Sequence, residues 1–406
     1  MSVNNEESIS NNDNSNEKNN LLAIISLVLL SFALGTSEFI VIGVLTEIAE
    51  SFNITEVKAG ALVSMFALAY SVCTPFSAAF AGKFNRFNFI IFAGIIFIAL
   101  NFLCSLSYNY NFLLIIRMLT AIISGALISV SISFSPYVSK KEKRPMVVAW
   151  IYSGFSIASI LGVPIGTSIS YYFGWRASFI FISVFSAVML ILMFITLPKN
   201  TPSHKVKLLG QFILFKDMRF ILSTLTILFG AASSYVLYTY LKPIFLDYIH
   251  IPNKYISAAL LIFGVTVLFS NLLSGKLAEH NGVYRLRYVF IMQCLCMIIL
   301  PFAILNAVTA SIIILIIGFL MYLMNSPVQL NILDFTEREY PSCLTLASSN
   351  NSFSFNFGIA LGSFVGSGIF DNFGIRWVGF GGALLSILAL ICIVYLYNIN
   401  NVSKNV

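Results

Sequence analysis

The chain has 406 residues, of which 58% are hydrophobic and only 10% charged, with 38 Phe and a mean hydropathy of +0.91. An ordinary soluble domain carries about 25% charged residues, so the solvent for most of this chain must be lipid. A net charge of +7 would point to nucleic acid in a soluble protein; here it is a bias in which membrane side the bases occupy, and no nucleic-acid partner is expected.

The first 20 residues are Asn-rich and polar, without the positive start of a secretory signal. They predict a disordered tail. Apolar runs long enough to span about 30 Å of hydrocarbon then follow at about 21–45, 58–80, 87–107, 111–135, 146–172 and 177–197. After a basic connection come six more, at about 219–246, 255–275, 285–305, 308–330, 342–370 and 375–397. Alternate connections and the two tails hold 17 Lys and Arg, the opposite connections hold five, and Arg117 lies inside a span. The positive-inside rule therefore places both termini in the cytoplasm of a multi-pass inner-membrane protein. The expected units are a tail (1–20), a six-helix half (21–198), a cytoplasmic central loop (199–217), a second half (218–397) and a short cytoplasmic tail (398–406).

The first span contains one acid, Glu38, about 25 Å along the helix from Leu21 at 1.5 Å per residue. An ionisable residue in such a place faces a cavity or a partner. Burial disfavours the charged form of a carboxyl, so the site can exchange a proton. One reading makes Glu38 the proton-coupling residue of a carrier; the other makes it a structural acid bonded to a neighbouring helix or wetted near the surface. Arg117, in the fourth span, can pair Glu38, hold an anionic part of a cargo, or brace its helix. Ala121, Ser124 and Gly125 follow on a small-residue face beside it.

Residues 154–176 and 354–376 match at eight of 23 positions with a constant offset of 200, including Gly162/Gly362, Gly166/Gly366, Gly174/Gly374 and Arg176/Arg376. The fifth and eleventh spans thus hold equivalent places in two halves. Parallel halves related by an axis along the membrane normal are a transporter architecture, with cargo held between them near mid-membrane. Gly154, Ala158, Gly162 and Gly166 recur every four residues as one smooth stripe, suited either to close helix packing or to gating. Pro164 removes a backbone donor and permits a kink.

In the seventh span Tyr235, Tyr238 and Tyr240 can offer rings and hydroxyls to a drug-sized molecule. Asn325 and Gln329 share a face of the tenth span, as interhelical glue or cargo contacts. Asn350, Asn351 and Asn356 on the eleventh read mainly as glue, with Asn356 retained as a cavity candidate. All three His fall in connections, and five of the six Cys lie inside apolar spans. No phosphate loop, HExxH, Cys pair or metal spacing suggests an enzyme or a cofactor; a proton gradient is the expected energy source.

Four stretches carry a family resemblance over about residues 21–397. "GTSEFIVIGVLTEIAESF" resembles the opening helix of the arabinose/sugar-efflux and purine-efflux subgroup of the twelve-span drug:proton antiporter family, within the major facilitator superfamily. "RMLTAIISGA" resembles the family's fourth-helix motif, with Arg117 and Gly125 in its Arg and final Gly places. "GVPIGTSISYYFGWRASF" resembles the antiporter motif, and "SSNNSFSFNFGIALGSFVG" the eleventh helix. The resemblance implies an all-α integral membrane protein of twelve transmembrane helices in two six-helix pseudo-symmetric halves. It also implies a monomeric exporter of a drug, sugar or nucleoside-like metabolite by proton antiport. An importer on the same scaffold, a membrane receptor and an integral-membrane enzyme are the competing classes. The loop motif after the second helix departs from the family: Asn85 stands where Asp is expected and Arg86 remains, whereas the second-half copy keeps Gly275 and the acid Glu279. This departure removes the acid of the usual charge latch on the first half.

Overall fold

The computed structural model describes side chains for residues 20–74, 84–140, 143–144, 146–148, 150–201, 213–279, 281–341, 343, 346–347 and 350–400. The expected disordered tail, apart from Asn20, and much of the central loop lie outside these residues.

Among the described residues, twelve helical stretches are long and apolar enough to cross a membrane. In chain order they are α1 (Asn20–Gly43), α2 (Glu56–Thr74), α3 (Arg86–Ser105), α4 (Tyr110–Val138), α5 (Met146–Phe173) and α6 (Trp175–Thr196). The second set is α7 (Met218–Tyr248), α8 (Asn253–Ala278), α9 (Gly282–Ala303), α10 (Ala307–Glu339), α11 (Asn350–Phe373) and α12 (Ile375–Asn400). Because the number is even, residues 20 and 400 share one face of the bundle, here called the terminal face. The expected runs are recovered, with one extension: α10 continues to Glu339 rather than ending near 330. Its last turn is held there by Arg219, which pairs with both Glu339 and Asp217. Burial pushes the Asp217 carboxyl up, but its hydrogen bonds to Arg219 outweigh this and hold it below the usual carboxylate range.

Short polar side chains set the helix starts. Asn109 accepts from the Phe112 N–H at 2.8 Å, and Asn306 accepts from the Val308 N–H at 3.0 Å, the usual way to satisfy otherwise unpaired N-terminal donors. Inside the spans, hydroxyls bond their own helix: Thr120 to the Ile116 carbonyl and Ser131 to the Leu127 carbonyl, each at 2.7 Å. In a lipid solvent such bonds satisfy a hydroxyl without a partner from outside its helix. The outer flanks are oily. Phe92, Val184, Ile191, Leu272 and Leu384 are all more than half exposed, which suits acyl chains and would be costly in water.

Within the first half α1 packs along α5, and within the second α7 packs along α11. The glycine stripe lies on this contact. A Cβ at Gly154 would sit 2.2 Å from the Val28 carbonyl oxygen, one at Gly162 3.1 Å from Thr36 Cα, and one at Gly166 2.2 Å from Ile40 Cγ1. In the other half a Cβ at Gly362 would sit 2.2 Å from the Ala232 carbonyl oxygen and one at Gly366 2.8 Å from that of Val236. The stripe is therefore the surface on which each pair of helices touches. The repeat extends to the turns: Gly174 and Gly374 adopt φ of 82° and 90°. Just beyond them Arg176 donates to the Ser107 carbonyl at 2.9 Å and Arg376 to the Pro301 carbonyl at 2.8 Å. Each arginine thus ties its turn to the far end of the third helix of its own half.

Across the halves, α2 lies against α11 and α5 against α8. Ser71 donates to the Phe353 carbonyl at 2.9 Å, and Ser257 to the Pro164 carbonyl at 2.9 Å. Pro164 has no N–H to offer the Ile160 carbonyl four residues back, and α8 approaches there: a Cβ at Gly264 would lie 2.8 Å from that oxygen.

Candidate functional site

The centre of the first half is built around a buried charge pair that is not an ion pair in the ordinary sense. Glu38 is 4% exposed, and neither carboxylate oxygen has a hydrogen-bond partner among the described residues. Arg117 is fully buried on α4 and donates to the backbone carbonyls of Ser37 and Glu38, the latter at 3.1 Å. Its guanidinium lies 4.1 Å from the centre of the Phe66 ring, a cation–π placement. Of the three roles open to Arg117 from sequence, bracing is the one this geometry displays: the guanidinium holds α1 by its main chain and leaves the acid's oxygens unengaged. Positive charge beside the carboxylate still counts, since Coulomb attraction needs no hydrogen bond.

Aromatic residues from both halves surround this point. Tyr70, Tyr235 and Tyr322 lie within electrostatic range of Glu38. Tyr235 meets Tyr238 edge-on at 5.3 Å and Phe355 at 5.9 Å, and Tyr322 stacks on Phe355 at 5.1 Å. Tyr238 stacks on Phe263 at 5.2 Å and directs its hydroxyl to the Ser159 carbonyl of the opposite half, at 3.4 Å. Tyr240 is not part of this group. Its ring packs edge-on to Phe370 at 5.3 Å, and a Cβ at Gly60 of α2 would lie 2.3 Å from its hydroxyl, so it closes the face opposite the termini.

The amides are spread over α10 and α11. Asn325 is half-buried, and its Oδ1 has no partner among the described residues. Gln329 donates to the Ala347 carbonyl at 3.1 Å, which makes it glue between α10 and the start of the helix that carries α11. Asn356 donates to the Ser352 carbonyl at 3.1 Å within its own helix, while its Oδ1 is unpartnered among the described residues. Asn350 accepts from Thr224 at 3.0 Å and joins α11 to α7.

Arg86 and Asn85 of the first-half loop motif meet different partners. Arg86 donates to the Tyr137 hydroxyl at 2.9 Å. Asn85 donates to the Lys199 carbonyl at 3.1 Å and caps the start of α3 by accepting from the Asn88 N–H at 3.2 Å. The replacement of an acid by an amide thus yields a residue that can donate as well as accept, and it ties α3 to the chain leaving α6. Gly275 and Glu279 are exposed, and a Cβ at Gly275 would meet nothing within 4 Å. Gly125 is tight against α2, where a Cβ would fall 2.2 Å from Thr74 Oγ1.

One important residue is not singled out by sequence. Lys242 reads as a connection base, yet it is fully buried. Its ammonium reaches from α7 across to the first half, where it pairs with Glu47 and donates to the Gly43 carbonyl at 2.8 Å. Thr167 donates to the same carbonyl at 3.0 Å. Glu47 lies on a short helix, Leu45–Ser51, that follows α1. The end of α1 is therefore clamped from α5 and from the other half at once, on the face away from the termini. A lysine followed by Pro in a hydrophobic run was the available hint, since such a charge needs a partner.

Two six-helix halves with matched contacts, meeting around buried polar groups, define a membrane transporter rather than an enzyme. The sequence pattern of the Major Facilitator Superfamily matches residues 27–343, and the chain belongs to that superfamily. Curated relatives extend over nearly the whole length. The chain is 29% identical to the uncharacterized MFS-type transporter YtbD of Bacillus subtilis over 375 residues, covering 92% of this chain and 95% of the relative. It is 28% identical to the inner membrane transport protein YdhP of Escherichia coli K12, covering 91% and 94%. It is 24% identical to a probable sugar efflux transporter of Mannheimia succiniciproducens, covering 92% and 93%. Among solved structures, a bacterial homolog of the human lysosomal transporter Spinster superposes with a TM-score of 0.76 at 14% identity, covering 92% of this chain and 96% of that one; that likeness concerns the fold.

Proposed function

We propose that the protein is a secondary active exporter that exchanges protons for a small molecule by alternating access. The observation that carries this reading is the Glu38 carboxylate, buried yet without a hydrogen-bond partner among the described residues. A purely structural acid would be expected to have its oxygens satisfied. Here the neighbouring guanidinium is engaged by main-chain carbonyls instead, so the carboxylate is available to take and release a proton without dismantling the contact between α1 and α4.

In this cycle Glu38 accepts a proton while the site opens away from the termini and loses it when the site opens toward them. Cargo moves the other way, seated against Tyr235, Tyr238 and the open amide oxygens of Asn325 and Asn356. The Lys242–Glu47 clamp holds the far face shut in the state described here, and its release is the step that opens that face. Export rather than import is supported by the probable sugar efflux relative and by the antiporter-type fifth helix. We further propose a monomer in the bacterial inner membrane with both termini cytoplasmic, from the base distribution and the inner-membrane relative. No cofactor is required in this cycle.

The test uses everted vesicles acidified inside, with arabinose, inosine and chloramphenicol as probes. At least one should release protons from vesicles holding the wild-type chain, and Glu38→Gln should abolish that release while inserting normally. Coupled transport by Glu38→Gln at the wild-type rate overturns the assigned role. Uptake coupled to proton movement in the same direction as cargo would instead support an importer.

A further inference from the structure

A groove of about 930 Å³ opens on the terminal face between α1 and the start of α5, away from the charge pair described above. Its volume is at the upper end of the range for pockets that hold drug-sized molecules. Its polarity is graded. Leu21, Ile25, Val28, Met146, Val147 and Trp150 make an apolar trough, whereas Lys140 and Lys143 stand with Ser139 and Asn20 at its edge. The wall stays open to the surroundings: Leu21, Met146 and Trp150 are each more than half exposed.

The edge carries positive potential from several sources. Lys140 and Lys143 are exposed and form no ion pair among the described residues. The helix carrying α5 starts at Arg144, with no acid in its first turn and no side-chain cap, so its N–H groups add their partial positive charge. The Arg144 Nε is buried without a partner among the described residues. Lys141 and Glu142 lie outside those residues. A small-molecule site fixes its ligand with a few placed polar groups in an apolar lining. This trough offers them at one end only, which is the pattern of an amphiphile with an anionic head.

We propose that this groove is a binding site for one anionic phospholipid. The phosphate lies against Lys140, Lys143 and the start of the α5 helix, one acyl chain runs along the α1–α5 trough, and the Trp150 indole sits beside that chain. Basic pockets between membrane helices bind anionic headgroups by this combination of charge and apolar contact. Trp side chains favour the boundary between headgroup and hydrocarbon. Bound there, the lipid would join α1 to α5 at the end where their glycine contact has given out. The proposal does not depend on proton coupling or on the direction of transport.

The experiment is native mass spectrometry of the full chain purified in detergent and supplied with phosphatidylglycerol or phosphatidylcholine. The wild-type chain should retain one phosphatidylglycerol in preference to phosphatidylcholine. Lys140→Ala and Lys143→Ala should each weaken that retention about fivefold, with both variants eluting as the folded protein. Equal retention of the two lipids, or unchanged retention in the double variant, overturns the proposal. A second readout is quenching by phosphatidylglycerol with brominated acyl chains, taken as the difference between wild type and Trp150→Phe. Strong quenching of that component supports the site, and its absence overturns the placement. Displacement of the lipid by millimolar inorganic phosphate would reassign the edge to a free anion and equally overturn the lipid reading.

Discussion

The two halves share their scaffold and differ in what they bury. The matched contacts of Gly162 with Thr36 and Gly362 with Ala232 align α1 on α7, so Ser37 corresponds to Ser233 and Glu38 to Ser234. In the second half that place is a neutral network: Gln293 donates to Ser233 at 3.2 Å and to Ser234 at 2.9 Å, and Ser233 lies 2.7 Å from the Ser386 hydroxyl. In the first half Ser37 donates to Asn101 at 2.8 Å, but the next residue is an acid with unengaged oxygens, held over a buried arginine. A satisfied polar network fixes helices against one another. An unsatisfied acid costs stability and is retained where it is used. In the proposed cycle the working chemistry lies on α1 and α4, with α7 and α9 as the framework.

The comparison can be broken at its strongest point first. Glu38→Gln should reduce proton-coupled transport to background, whereas Ser234→Ala at the matching position should leave coupling intact; coupling lost equally in both would remove the distinction. Arg117→Ala deletes two charge-assisted hydrogen bonds, each worth roughly 1.5–3 kcal/mol, while Gln293→Ala deletes neutral ones worth about 1 kcal/mol each. Thermal unfolding in detergent should therefore rank Arg117→Ala as clearly the more damaging, and the reverse order would refute the brace.

Packing along the stripe sharpens the comparison. Gly362→Ala forces a methyl onto a main-chain oxygen and should cost about 1–3 kcal/mol. Gly162→Ala has 3.1 Å to its nearest neighbour and should cost less; equal shifts in unfolding temperature would show that the two contacts relax alike. The clamp between halves gives a smaller signal. Lys242→Met should raise maleimide labelling of a Thr167→Cys variant several-fold, and an unchanged rate would mean that the ammonium does not hold the far face closed. The turns should respond alike. Gly174→Ala and Gly374→Ala meet no neighbour within 4 Å but keep φ of 82° and 90° with ψ of 157° and 155°, a region almost confined to glycine, so each should cost about 1–3 kcal/mol, and equally.

Several features were legible because they are local or periodic. The twelve spans follow from run length, and the repeat at an offset of 200 marked Gly174 with Gly374 and Arg176 with Arg376 as equivalent positions without saying what they hold. Glu38 stood out because an acid in an apolar run is expensive. Helical spacing also separates Tyr240 from Tyr235 and Tyr238, since a residue five places on points to another side. Gln293, a lone amide within its span, carries the same warning as Glu38.

The amino-acid sequence by itself determined the solvent, the number of crossings, the two-fold repeat and the presence of one costly acid, because length, hydropathy and small-residue spacing act along a single helix. Only the tertiary structure decided that Arg117 grips main-chain carbonyls rather than the acid, that Lys242 is buried across the interface between halves, and that Asn85 serves as a cap and tether. Those outcomes depend on which helices come within hydrogen-bond distance. A main-chain carbonyl is the same at every position, so no residue pattern announces which one an arginine or a lysine will find.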